Sequence, residues 1–177
     1  GAKDGSNANL AAVLSILAAV SVPCELGGGI RDEVTIRRLL DLGLSRLVLG
    51  TKALKEPDWF RQMARRYPGK LALGIDAKNG LVATDGWLET SATRAVDLAE
   101  QFAGEPIVAI IYTDIAKDGM LEGPNLPAMS QMKDAVTIDV IASGGVTTAD
   151  DVKALAETGV AGCIIGRALY EGTLTLR

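Results

Sequence analysis

VPCELGGGIRDEVTIRRLLDLGLSRLVLGTKAL, residues 22–54, recurs as IDVIASGGVTTADDVKALAETGVAGCIIGRALY, residues 138–170, and the two stretches align without a gap. Gly28, Gly29, Gly43 and Gly50 fall on Gly144, Gly145, Gly159 and Gly166, each 116 residues on (144 − 28), and Leu39 falls on Leu155. A glycine has a backbone reason to hold its place, because it admits positive φ and lets another group come close. Self-similarity at one fixed offset is the mark of a fold built from duplicated units.

Each copy reads the same way. A short apolar run (residues 23–26; 140–142) meets a glycine pair, and an amphipathic helix follows, with Val34, Ile36, Leu39 and Leu40 in one copy and Val152 and Leu155 in the other. A glycine turn then leads to a second apolar run (residues 47–49; 163–165) that ends in glycine. Strand, glycine loop, helix, strand, glycine is a βαβ unit with both glycine loops at the carboxyl ends of its strands. Backbone N–H groups freed by glycine can face an anion, and the positive end of the next helix points to the same place. One such loop alone is more simply a tight turn. Four in matched positions predict two phosphate cradles, related by an approximate two-fold axis.

Composition narrows the chemistry. The chain has 177 residues, enough for one domain with a substantial core, and 48% of them are apolar without any run of membrane-spanning length. The polar opening, GAKDGSNAN, is no signal peptide. Cys24 and Cys163 sit in apolar runs and read as small core residues. There is no histidine, which excludes a Ser–His triad and a His-ligated metal, so acid–base work falls to carboxylates, Lys, Tyr or Cys. A net charge of −4 argues against general nucleic-acid binding and polybasic membrane attachment. Phosphate affinity has to be local.

The rest of the chain fits the same plan. AKDG at residues 2–5 reappears at residues 116–119, where it follows a strong strand, IVAIIY at 107–112. By symmetry a strand precedes Gly1, so the chain is expected to lack its beginning. Helices are predicted at 9–20, 56–67, 92–102 and about 126–133, and a buried strand at 71–75 ending at Asp76. Asn79–Gly80 and Asp85–Gly86 are turn signals. Six doubly buried strands alternating with helices predict a parallel α/β sheet. Twofold repetition points to a TIM (β/α)8 barrel, here one domain over residues 1–177, short of its first βαβ portion and its last helix. An open doubly wound sheet is the rival, but it leaves the repeat unexplained, and no GxGxxG is present.

In such a barrel the active site lies at the strand carboxyl ends. Asp76, Thr113, Asp114 and Asp118 are predicted there. A carboxylate straight after a buried strand is partly desolvated, which suits a general acid; capping a helix or pairing in a salt bridge is the plainer role. Trp87, after a DG turn, is either an anchor packed on the rim or an aromatic that covers a planar substrate. Arg31 and Arg167 each follow a glycine loop, where a guanidinium can meet a phosphate or carboxylate.

GGGIR, LGTKAL, LGIDAKNG, TDGWLETS, YTDIAKDGMLEGPN, IASGGV and IIGRALYEG, in this order and at these spacings, resemble the phosphoribosylformimino-AICAR ribotide isomerase family of histidine biosynthesis, over essentially the whole chain. The resemblance implies a barrel of two half-barrel repeats and an Amadori rearrangement of a substrate with a phosphate at each end. It implies no metal and no organic cofactor, a small-molecule partner only, a monomer, and a cytoplasmic setting. It makes Asp76 and Asp118 the functional carboxylates, Asp118 the general acid, with Thr113 holding the sugar and Trp87 covering the substrate. One phosphate is expected over Gly28, Gly29, Gly50 and Thr51 with Arg31 nearby, the other over Ser143, Gly144, Gly145, Gly166 and Arg167.

The family's general base is an Asp at the end of a first strand that has no counterpart in residues 1–177, so this stretch alone is expected to be inactive. A sister cyclase barrel of the same pathway, a dual-substrate isomerase and a non-catalytic phosphosugar-binding barrel are the alternatives.

Overall fold

The computed structural model describes residues 9–84, 86–87 and 89–175. Two compact units emerge, Gly1–Gly74 with Glu105–Val108, and Ile75–Gly104 with Ala109–Arg177.

The first unit runs α1 (Leu10–Ala19), β1 (Glu25–Gly27), α2 (Glu33–Asp41), β2 (Arg46–Leu49), α3 (Thr51–Lys55) and α4 (Pro57–Arg66), and then enters β3 (Leu71–Lys78). Its strands are parallel, with Leu26 beside Leu47 and Val48 beside Ala72. Helix α2 buries Ile36 and Leu39, α4 buries Phe60, Met63 and Ala64, and the strands bury Leu47, Leu49, Leu71 and Leu73. Helix α4 starts where Pro57 occupies its first turn, a position without a lost hydrogen bond. An ion-pair group closes its far end: Arg65 holds Glu105 through two bonds of 2.8 and 2.7 Å, and Tyr67 donates to Glu33 at 3.0 Å.

The second unit begins inside β3 and continues through β4 (Leu81–Thr84), β5 (Glu89–Arg94), α5 (Ala95–Glu100), β6 (Ile110–Asp114), α6 (Leu126–Ala135), β7 (Val140–Ser143), α7 (Ala149–Glu157), β8 (Gly162–Cys163) and α8 (Arg167–Tyr170). Strands β6, β7 and β8 are parallel, with Ile111 beside Ile141 and Ala142 beside Cys163. All five residues of β6 are buried, as expected of a strand covered on both faces. Met129 and Met132 of α6, Leu98 of α5, Phe102 and Leu155 of α7 complete this core. The class is therefore a parallel α/β sheet with helices, as the sequence predicts.

Four sequence expectations need correction. Strand β3 does not stop at Asp76: it runs to Lys78 and turns back through Asn79 and Gly80, both at positive φ (52° and 77°), into antiparallel β4. That is the hairpin the Asn–Gly pair signals. Strands β4 and β5 add an antiparallel arm to the six expected strands. Because residues 89–94 pair with β4, the helix expected from residue 92 starts at Ala95. Lastly, Cys24 and Cys163 are free and half-buried rather than enclosed, and Cys24 lies just before β1.

Candidate functional site

The glycine loop after β7 lines a cleft. This cleft of about 200 Å³ is lined by Asp118, Ser143, Gly144, Gly145, Gly166 and Arg167, among others. Gly144 and Gly145 hold φ of 97° and 88°, a region closed to most side chains. The space is also taken, since a Cβ on Gly144 would stand 2.6 Å from the Asp114 carbonyl oxygen, and one on Gly145 would run into the Gly123 carbonyl. Next, the turn is fastened to α7. The Asp151 carboxylate accepts the N–H groups of Thr147 (3.0 Å) and Thr148 (2.8 Å), while the Thr148 hydroxyl accepts from Asp151 N–H at 3.2 Å. This is a reciprocal cap of the helix start.

Asp118 reaches the cleft on a loop whose base is clasped shut. Asp114, at the end of β6, is buried; one carboxylate oxygen accepts the Ala116 N–H at 3.0 Å and the other accepts the Asn125 amide at 2.6 Å. Asn125 in turn accepts from Ala128 N–H at 3.3 Å and so caps α6. The Asp114 carbonyl takes the N–H of both Lys117 and Asp118 at 3.1 Å. Asp114 thus ties both ends of the loop and caps nothing itself. Asp118 is exposed at the cleft, whereas Asp114 is buried. Burial, with a smaller contribution from the Asp114 charge, pushes the Tyr112 phenol up from its usual range. Burial likewise raises the Cys163 thiol, which makes it a poor nucleophile.

Arg167 lines the same cleft, with its guanidinium donating to the Gly119 carbonyl and, at 3.2 Å, to Glu171. Thr113 is buried in β6 beside Ser143 of β7, so both stand at strand ends next to the glycine loop. Elsewhere in this unit, Asp76 is half-buried on β3 and accepts a 2.8 Å hydrogen bond from the Trp87 indole. Trp87 is 45% exposed, which fits both an anchor on the rim and an aromatic open to a ligand. The Asp85 half of the Asp85–Gly86 turn falls outside the described residues.

The other predicted cradle belongs to the first unit. Gly28 and Gly29 hold φ of 95° and 74°, and Arg31 just beyond them is exposed. Asp32 then caps α2, accepting from Thr35 N–H at 2.7 Å, and that bond is the main cause of a carboxyl pKa below the ordinary value. Gly50 precedes α3 and Thr51 opens it; a Cβ on Gly50 would lie 3.0 Å from the Gly74 carbonyl oxygen. The structure therefore brings Asp118, Ser143, Gly144, Gly145, Gly166 and Arg167 to one cleft. It places Gly28, Gly29, Arg31, Gly50 and Thr51 in the first unit, and pairs Asp76 with Trp87.

Sequence reading missed Asn125. The signal was present: an Asn directly before Leu126 and Pro127 is a helix start with its cap. The cleft residues Leu121, Val146 and Ile164 carry no chemical signature and could not have been picked out. Among the described residues no cluster of His, Cys, Asp or Glu is placed to hold a metal ion, and no helix is long and apolar enough to cross a membrane.

Comparison with known proteins places the chain in a family. Residues 1–175 match the family described as histidine biosynthesis protein. A relative from Rhodopirellula baltica is 52% identical over 175 residues, 98% of this chain and 69% of its own length. One from Rhodobacter capsulatus is 52% identical over 178 residues, 100% and 74% of the two chains, and one from Gloeothece citriformis is 48% identical over 179 residues, 99% and 70%. All three are named 1-(5-phosphoribosyl)-5-((5-phosphoribosylamino)methylideneamino) imidazole-4-carboxamide isomerase.

Proposed function

This chain belongs to the histidine biosynthesis protein family, and we propose that it is an isomerase converting a bis-phosphorylated aminoaldose of the imidazole carboxamide type to the aminoketose. The observation that carries the reading is one cleft lined together by Asp118, Gly144, Gly145 and Arg167. The loop and the guanidinium suit a phosphate, and the carboxylate suits proton transfer to the sugar it anchors. The isomerase names of the relatives favour this over a cyclase of the same architecture.

In this reading Asp118 gives a proton to the ribose ring oxygen. The ring opens to a protonated Schiff base at C1, loss of the C2 proton to a base gives an enolamine, and a proton added at C1 as the C2 hydroxyl proton leaves gives a ketone at C2. No electrons are exchanged with a second molecule. Thr113 holds the sugar, Asp76 is the second functional carboxylate and Trp87 covers the substrate. One phosphate is assigned to Ser143, Gly144, Gly145, Gly166 and Arg167, the other to Gly28, Gly29, Arg31, Gly50 and Thr51. We read residues 1–177 as one barrel domain of two half-barrel repeats, acting without cofactor as a cytoplasmic monomer.

Asp118→Asn in the full-length protein tests the assignment, because it keeps shape and removes the transferable proton. Expected is a fall in kcat of about a hundredfold with KM little changed. Turnover of the Asp118→Asn variant at the wild-type rate would contradict it.

A further inference from the structure

We infer that Arg167 is a positioning residue for the loop that carries Asp118, so that a phosphate held at the cleft also steadies the carboxylate beside it. The inference rests on the phosphate site and the acid proposed above, and adds a link between them.

The cleft is lined from the loops after β6, β7 and β8. Arg167 opens α8, after β8, yet its guanidinium donates to the carbonyl of Gly119, the residue next to Asp118 on the loop after β6. Strand β7 lies between β6 and β8, so this bond joins the two outer loops of the cleft. The loop tip that it reaches has little support from packing. A Cβ on Gly119 would meet no atom within 4 Å, Met120 is 54% exposed, and Lys117 pairs at 3.4 Å with Glu122 of the same loop. The root, by contrast, is fixed by the Asp114 carbonyl, which takes the N–H groups of Lys117 and Asp118. Asp118 therefore stands between a fixed root and a tip tied to Arg167.

The guanidinium is itself harnessed. Glu171, at the end of α8, accepts from its Nε at 3.2 Å while Gly119 accepts from Nη1. A guanidinium is a rigid planar fork, so Nη2 is left in the same plane for an anion. A phosphate there need not compete with Gly119 for a proton, and each contact fixes the plane that the other uses. Coupling of this kind is reciprocal: the tie to Gly119 aims the arm at phosphate, and phosphate strengthens the tie. The matching residue of the first copy, Thr51, has no such fork.

The test uses the full-length protein and inorganic phosphate. Amide exchange is followed by NMR at Asp118 and Met120, whose N–H groups bond the Asp114 and Lys117 carbonyls. Occupancy of this cleft is read from the Gly145 amide resonance, and proteins are compared at equal occupancy. Phosphate is expected to slow both amides about tenfold in the parent and less than about twofold in Arg167→Lys, which keeps the charge without the fork. Without phosphate, Asp118 exchange is already about threefold faster in Arg167→Lys, because the tie to Gly119 is lost. In steady-state turnover the same variant loses about tenfold in kcat with KM changed less than about threefold, whereas loss of a simple phosphate ligand raises KM alone. Phosphate that slows Asp118 exchange as strongly in Arg167→Lys as in the parent overturns the inference. So does a parent whose Asp118 exchange phosphate leaves unchanged or speeds, or a variant that raises KM with kcat intact. A parent that shows the phosphate effect without turnover loses the isomerase reading and keeps the coupling.

Discussion

Gly28 and Gly144 have nearly the same backbone, with φ of 95° and 97°, and Gly50 and Gly166 likewise, at −115° and −113°, yet their surroundings differ. Helices α2 and α7 are each nine residues long and begin 116 residues apart (149 − 33). Around this shared frame, Gly144 and Gly145 are buried beneath the loop that carries Asp118, while Gly28 is exposed. The stretch matching that loop, residues 2–5, lies outside the described residues. The side chains after the second glycine differ too: a short Thr51 in one copy and the guanidinium of Arg167 in the other. Backbone conformation and steric room are thus separate demands on glycine. The conformational demand recurs in both copies, and the steric one is plainest where a second loop presses down.

Substitution can separate the two demands. Gly144→Ala meets both, a φ of 97° and a carbonyl oxygen 2.6 Å from the new Cβ, and should cost about 4 kcal/mol in urea unfolding. Gly43→Ala meets only the first, at φ 103° with no atom within 4 Å, and should cost about 1 kcal/mol. Equal costs would mean the loop over Gly144 gives way and the contrast between the copies is only conformational.

Asn125→Ala probes what covers the second loop. It leaves a buried Asp114 oxygen without its donor, so a loss of about 2 kcal/mol is expected, together with a lower kcat as the Asp118 loop loosens. Normal kcat at reduced stability would make the clasp purely structural.

The smallest contrast is in the helix caps. Thr148→Ala should cost α7 about 1 kcal/mol. Asp32→Ala should cost α2 a similar amount only while the carboxylate is ionised. The folded pKa of Asp32 is lowered, so its stabilisation is present above the unfolded value of about 3.9 and is lost as pH falls through the folded one. Amide exchange at Thr35, followed down in pH, should accelerate there in the parent and show no such step in Asp32→Ala.

Much of this was legible in the chain because glycine positions and apolar runs are backbone statements. The βαβ units and the Asn79–Gly80 turn follow from local chemistry. Strand β5 was not legible. ETSATR is polar, with most of its residues exposed, and its strand character comes from pairing with β4. The end of β3 was misplaced for the same reason, since Asp76, Ala77 and Lys78 look like a loop until β4 pairs with them. Among site residues, Asp118 and the glycines declared themselves by motif. The clasp between Asp114 and Asn125, and the bond between Asp76 and Trp87, each join residues 11 apart and required three dimensions.

The isomerase reading meets its sharpest test in turnover of the bis-phosphorylated aminoaldose, labelled with ¹³C at C1 and C2 of the reacting ribose and followed by NMR. Isomerisation moves the C1 signal from an anomeric to a methylene position and brings C2 into the ketone range, with both phosphates retained. That result is expected, at a rate abolished by excess product analogue. An anomeric signal that persists unchanged beside folded, phosphate-binding protein would contradict the isomerase reading and leave a phosphosugar-binding domain in its place.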